Sequence, residues 1–428
     1  MRLYAHLHRP MRRGGLDRIQ NWGGFRMELS LQFGFGMMEH CRFLVRSWGG
    51  GTVVLSPRDM TESQMAQLSQ DVAKNGGQVL IDPQLYLPKA NHQRLTGHEH
   101  WPNGAGLHGT TELSRVLTAL LARNRECAAA QIILPGVLAS RIDSNWLNGT
   151  TLVLDAASRM GISADQSILT VALMADAVRD DRQIELLVEA LDSWAVSGIY
   201  LIVEPPSGAY LVGDLTWTTN VLDIIASARL AGKAVILGYS NQQMLMAACA
   251  GANAICSGTW MNVRSFTQAR FLSQDDDEIK QRSTWYYAPH LFTEFKIPTL
   301  DIAKKIGVLD QLKTPPEFGS DFAAPLFSAP QPSLAGFAEQ QAFRHFLQCM
   351  KTQAADFSGS SFDVTIAGYR QALDVAEATL KGLRQKSLTG QQRDFYGAEC
   401  FDSNRAALQV LEQNHGPRLR RQWKALMG

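Results

Sequence analysis

Several things are scarce in this 428-residue chain, and each scarcity excludes something. No apolar run reaches the roughly 18 uninterrupted residues that a membrane helix needs, so no membrane partner is expected. Six cysteines, Cys41, Cys127, Cys249, Cys256, Cys349 and Cys400, are scattered without a paired framework, which points to a reducing, cytoplasmic setting. The N-terminus lacks the apolar core of a secretion signal, so export is not expected. No Cys/His set has zinc-ligand spacing, and neither a metal nor a cofactor is expected. Net charge is only +1, but it is unevenly spread. Residues 1–26 carry six arginines against Asp17, and residues 381–428 carry nine Lys/Arg against four acids, leaving an acidic middle. Basic ends on an acidic body can hold a polyanion, or can be no more than solvated termini.

What the chain does contain is a beat of eight short apolar segments. They are Leu29–Phe35, Thr52–Leu55, Gln78–Ile81, Gln131–Leu134, Ser167–Leu173, Ile199–Val203, Ala234–Leu237 and Ala252–Cys256. Continuous runs of Val, Ile and Leu, rather than in/out alternation, are what strands buried on both faces require, so the segments read as parallel. Eight βα units in about 240 residues make an α/β chain with a (β/α)8 TIM-type barrel. The surplus lies beyond it as a C-terminal α-helical appendage. The expected division is 1–26, a basic extension upstream of the barrel; 27–272, the barrel; 273–332, a strap and Pro-rich linker; and 333–428, the helical domain.

Punctuation supports the early units. Met38–Trp48 reads as a helix closed by Gly49-Gly50-Gly51, and Thr61 with Gln64 has capping-box spacing before the next helix. Gln242–Ala250 reads as a helix capped by Ser240 or Asn241, and Phe266–Leu272 as the segment that closes the barrel. The long insert Pro83–Thr110, with His92, His98, His100 and His108, reads as a lid or substrate loop. Beyond Ser333, Phe343, Phe346, Leu347 and Met350 form one helical stripe, and Tyr369, Leu373, Val375 and Leu380 another. The last helix, Arg418–Met427, is basic; Arg418, Arg420, Arg421 and Lys424 are its candidates for docking a nucleic acid or a partner protein.

In such barrels the chemistry sits at the C-terminal strand ends. Arg58 and Asp59 follow strand two, Asp82 and Gln84 strand three, Arg141 and Asp143 strand four, and Asp176 strand five. Glu204 follows strand six, Tyr239 and Asn241 strand seven, and Cys256, Asn262 and Arg264 strand eight. Converging carboxylates suit general acid/base work, although Asp59 and Asp176 read equally well as helix caps. Asp82, set between Ile81 and Pro83, is the strongest candidate. Cys256 is a nucleophile if a cation such as Arg264 stabilises its thiolate, and otherwise a small buried residue.

Three stretches carry a resemblance. Leu80-Ile81-Asp82-Pro83-Gln84 falls where the tRNA-guanine transglycosylases and their DNA-modifying and defence-associated relatives have Leu-Thr-Asp-Ser-Gly-Gly-Phe-Gln. Ile236 to Leu245 resembles their Gly-Val-Gly-Thr-Pro-Glu-Asp-Leu, and Gly251 to Cys256 their Gly-Val-Asp-Met-Phe-Asp, with an Arg-containing loop after it. The family's zinc motif is absent, and Cys256 stands where it has a nucleophilic Asp. The resemblance implies a guanine or 7-deazaguanine base as the small-molecule partner, with exchange or cleavage of an N-glycosidic bond. Asp82 would be the acid/base, and Asp59, Gln84 and Glu204 would bond the base. Tyr239 would stack on the base, Arg58, Asn262 and Arg264 would hold substrate, and Cys256 would replace the nucleophile. The alternative is a catalytically altered barrel that serves as a binding or assembly module; a monomer and a homo-oligomer both fit.

Overall fold

The computed structural model describes residues 26–102, 106–107, 109–272 and 283–427. The eight predicted strands form, as β1 Glu28–Gln32, β2 Thr52–Leu55, β3 Gln78–Ile81, β4 Ile132–Leu134, β5 Ser167–Leu173, β6 Gly198–Val203, β7 Ala234–Leu237 and β8 Ala254–Ser257. All pair in parallel, in the spatial order β3-β2-β1-β8-β7-β6-β5-β4, with Leu29 opposite Ile255 where the first strand meets the last. The ring is nearly closed. β3 and β4 share no ladder, and the seam between them carries bonds from the Ala130 N–H to the Val79 carbonyl (3.0 Å) and from the Leu138 N–H to the Tyr86 carbonyl (2.9 Å).

Helices α1 Met38–Trp48, α2 Glu62–Lys74, α3 Thr110–Glu126, α4 Ser144–Arg159, α5 Asp181–Ser193 and α6 Leu215–Leu230 cover the first six strands. The local signals operate as read: Gly49 ends α1 at φ 68°, and the Thr61–Gln64 box opens α2 with both reciprocal bonds. The seventh unit departs from expectation. Gln242–Ala250 is a nine-residue 3₁₀ run in which every residue is buried, ended by Gly251 at φ 79°. A helix buried on every side needs a second layer above it, and the C-terminal part of the chain supplies that layer.

That part begins with a hairpin, β9 Trp285–Ala288 and β10 Thr293–Lys296, then α7 Ile297–Lys305 and a Pro-rich crossing segment. Four long helices follow: α8 Glu339–Asp356, α9 Phe362–Gln385, α10 Cys400–Asn414 and α11 Gly416–Met427. They lie over the 3₁₀ run, α6 and β1, and their buried side chains form one continuous apolar core with those of the barrel. Polar ties cross the same boundary. Trp48 Nε1 donates to Gln348 (2.7 Å), Gln243 Nε2 to Asn404 (3.1 Å), and the Met27 N–H to Ser358 Oγ (2.6 Å). The appendage therefore serves as outer wall for the last two barrel units. Of the predicted stripes, Val375 alone turns to solvent, 56% exposed. No helix among the described residues is long and apolar enough to cross a membrane.

Candidate functional site: a buried carboxylate under an aromatic plug

β3 runs on into Asp82, whose N–H still bonds the Leu55 carbonyl at 3.1 Å, and Pro83 then turns the chain away. The side chain points into the barrel and is wholly buried. The Tyr86 hydroxyl lies 2.8 and 2.7 Å from its two oxygens, the Tyr239 hydroxyl 3.1 Å and the Tyr200 hydroxyl 3.4 Å from Oδ2, and the Gln84 N–H donates at 3.0 Å. Burial pushes the carboxyl up to about 6; bonds from Tyr86, Gln84, Tyr239 and Tyr200 pull it back only in part. The local backbone is built for this approach. Tyr239 adopts φ 51° to aim its ring inward, and a Cβ on Gly238 would stand 2.8 Å from the Tyr200 hydroxyl. Gln84, at φ 53°, links the group to the rim through Ser56 Oγ (2.8 Å) and the Arg58 N–H (2.8 Å).

The segment after β8 does not extend the barrel wall, as was expected of Phe266–Leu272, but dips into the mouth. Phe266 and Phe271 stack at 5.5 Å and meet the edges of Tyr86 (5.2 and 4.9 Å) and Tyr239 (5.4 and 6.4 Å). Both phenyls are buried, and together they roof the Asp82 chamber. The roof is pinned by the residues expected to hold substrate. Arg270 donates to Asp59 at 2.5 Å and to the Asn262 carbonyl at 3.0 Å. Arg58 donates to the Arg270 carbonyl (2.8 Å) and to Asp59 (2.9 Å), and Glu204 accepts from the Gln268 N–H at 3.3 Å. Asp59 is therefore neither a free acid nor a helix cap. It is a buried carboxylate shared by two guanidiniums, and Arg58, Glu204 and Asn262 are engaged on the plug.

Cys256 and Arg264 also part company. The thiol is fully buried and pushed up, first by burial and then by Asp82, with Ser30 opposing. Arg264 gives it no help; its guanidinium lies 3.5 Å over the Phe346 ring, donates to the Gly258 carbonyl at 2.8 Å and reaches Glu294 at 3.3 Å. The condition for a thiolate nucleophile is thus unmet, and Cys256 packs as a small buried side chain. Glu294 gathers Arg264, Arg393 (2.7 Å) and the Tyr210 hydroxyl (2.9 Å); burial raises its carboxyl, and the two guanidiniums more than offset that, leaving it below its ordinary value.

In the long insert, His98 and His100 bond the Pro57 carbonyl (2.7 Å) and the Pro83 carbonyl (3.2 Å), and burial lowers His100 to about 3. They tie the insert to the strand ends; His108 lies outside the described residues, as do residues 1–25 of the basic extension. No cluster of three or more His, Cys, Asp or Glu positioned to hold a metal occurs among the described residues. On α11, Leu419, Trp423 and Met427 face inward and Arg420 pairs with Asp363 at 2.8 Å. Arg418, Arg421 and Lys424 are exposed on the other side.

Tyr86, Tyr200, Phe271, Arg270 and Glu294 carry much of this arrangement and were not among the sequence candidates. Tyr200 had a usable signal, a polar hydroxyl inside an apolar strand. Arg270 had none, since its partner lies 211 positions away.

The sequence matches no protein-family model and no curated protein. Among solved structures it is similar to deoxyribose phosphate aldolase from Aeropyrum pernix, at 20% identity over 60% of this chain and 97% of that one, TM-score 0.33. It is also similar to methylornithine synthase, at 11% identity over 64% and 85% with TM-score 0.32. The carboxyl transferase domain of Rhizobium etli pyruvate carboxylase is a third, at 10% over 94% and 80% with TM-score 0.36. Likenesses this remote add nothing to the eight-stranded barrel that the strands themselves display.

Proposed function

We propose that the barrel acts on a guanine or 7-deazaguanine base, with Asp82 as the acid/base for cleaving or exchanging its N-glycosidic bond. The supporting observation is the Asp82 carboxyl itself, buried, surrounded by three tyrosine hydroxyls and raised to about 6. A group titrating near neutrality can carry a proton to the leaving nitrogen and take one back from the incoming nucleophile. The Gln32 amide nitrogen, buried without a hydrogen-bond partner among the described residues, supplies a donor for a polar ring edge, and Gln84, whose amide donates to Ser56 Oγ and the Tyr239 hydroxyl, holds the tyrosine beside it. Tyr86 and Tyr239 supply faces for a planar one. With the Cys256 thiol held protonated, the incoming nucleophile is water or the new base rather than a side chain. The plug must swing aside for substrate to enter. A closed, pinned plug also favours a second reading, a barrel that has given up catalysis and binds partners through the exposed Arg418, Arg421 and Lys424 face of α11.

A thermal-shift titration of wild type and Asp82→Asn with guanine and 7-deazaguanine separates the two. The first reading expects a base to stabilise wild type, by about 2.7 kcal/mol at a hundredfold excess over Kd, and the variant to lose that gain. No shift in either protein leaves the binding module. The same pair tests the titration. A carboxyl raised from 3.8 to about 6 contributes stability that is full below pH 3.8 and is lost as pH rises through 6. Asp82→Asn has no such proton to lose, so its stability relative to wild type should climb across that window by up to about 3 kcal/mol. A difference that stays flat from pH 4 to 7 would mean that the buried carboxyl titrates normally.

A further inference from the structure

Beside the roofed chamber, where β3 and β4 splay apart, lies a separate cavity of about 660 Å³. One wall is the face of α4 formed by Trp146, Gly149, Thr150 and Val153, and the others come from the segments after β3 and β4. Its lining is mainly apolar, with the Trp146 indole as its partly exposed aromatic ring. The Trp146 indole is fixed by Nε1 donating to the Val137 carbonyl at 2.9 Å. Two cations, Lys89 and Arg141, stand at the exposed rim and make no ion pair among the described residues. The one carboxylate on the lining, Asp143, is spent as the N-cap of α4, accepting from the Trp146 N–H at 3.0 Å.

We infer that this cavity is a binding site for a planar aromatic anion, a fused-ring carboxylate or its equivalent. The apolar body would lie along the partly exposed Trp146 ring and the face of α4 that carries it, and the charged group would meet Arg141 and Lys89. The volume falls within the range of small-molecule sites, and a few polar groups at the edge of an apolar cleft are what such sites use for orientation. An anion is selected because the rim offers two cations, neither in an ion pair among the described residues, against one carboxylate that is turned to the N-terminus of α4. A bidentate guanidinium contact adds direction to that charge. The site stands whether or not Asp82 is catalytic. Tyr86 connects the two, since the ring that lines this cavity carries the hydroxyl bonded to Asp82.

Gly149 makes a clean test possible. A Cβ there meets nothing within 4 Å, and its φ is not in the left-handed region, so Gly149→Phe fills the cavity from a helix whose propensity it improves. Binding of 2-naphthoate, with 2-naphthalenemethanol as its neutral analogue and decanoate as an anion without rings, is measured by calorimetry on the full chain. Naphthoate should bind at least tenfold more tightly than either comparison compound. Arg141→Gln should weaken naphthoate about tenfold and leave the alcohol within twofold. Gly149→Phe should abolish naphthoate binding while its melting temperature equals or exceeds that of wild type. The proposal is overturned if naphthoate does not bind wild type, if the alcohol or decanoate binds as well, or if stably folded Gly149→Phe binds naphthoate unchanged.

Discussion

Arg270→Ala should cost about 3–5 kcal/mol of folding stability, measured as a shift of the urea midpoint. Arg270 and Asp59 both have buried side chains, 2% and 0% exposed, so removing the cation leaves a carboxylate in low dielectric with Arg58 as its remaining guanidinium partner. Two other losses accompany it, the bond to the Asn262 carbonyl and the anchoring of the phenyl roof. Adding Asp59→Asn to the same chain should recover part of the loss, because the stranded charge goes with it. Arg270→Lys should fall between, keeping the charge but not the fork that spans Asp59 and the Asn262 carbonyl. The plug reading makes a further demand: Asp82 should become accessible, so the pH-dependent difference between Asp82 and Asn should shrink in the Arg270→Ala background. A cost below about 1 kcal/mol, or an unchanged pH difference, would show that the roof stays down without its arginine.

Glu294→Ala is expected to be of similar size, about 3–5 kcal/mol. Its carboxylate is the common acceptor for Arg264 from the barrel, Arg393 from beyond α9 and the Tyr210 hydroxyl from the loop after β6. Without it two guanidiniums confront each other where Arg264 is only 3% exposed. Because the three partners come from separate parts of the chain, the loss should appear as loosening between barrel and C-terminal helices as well as lower overall stability. Limited proteolysis in the Pro-rich stretch 314–332 should speed up at least tenfold relative to wild type. Glu294→Gln keeps the volume and one acceptor and should do less damage. Equal proteolysis of wild type and Glu294→Ala would place the joint elsewhere.

The barrel was legible because burial on both faces leaves a composition signature within each strand, and all eight segments were found to within a few residues. Thr61 and Gly49 were legible for the same local reason, since a cap is a contact between near neighbours. Asp82 could be found because its position between Ile81 and Pro83 fixes it at a strand end. Its electrostatics could not, since they depend on Tyr200 and Tyr239, more than a hundred positions away. The same distance hides the pairing of Asp59 from the sequence. A carboxylate at a strand end looks available until the guanidinium that occupies it arrives from 211 positions downstream. Arg264 illustrates the converse, a cation placed at the right end of the right strand whose charge is claimed from outside the barrel by Glu294.

The tie from the Met27 N–H to Ser358 spans 331 positions. β1 also waits for its neighbour β8, and the outer wall of the last units is made from the final quarter of the chain. At ribosomal rates of about 5–20 residues per second, Ser358 is made roughly 15–70 s after Met27. For the first part of that interval, until residues 254–257 are made, β1 has an open edge on the side that β8 will occupy; for the rest, the apolar run 242–250 has no cover. A chain cut at the Pro-rich crossing would still set β8 beside β1, but it would leave the buried 242–250 run without the helices that cover it.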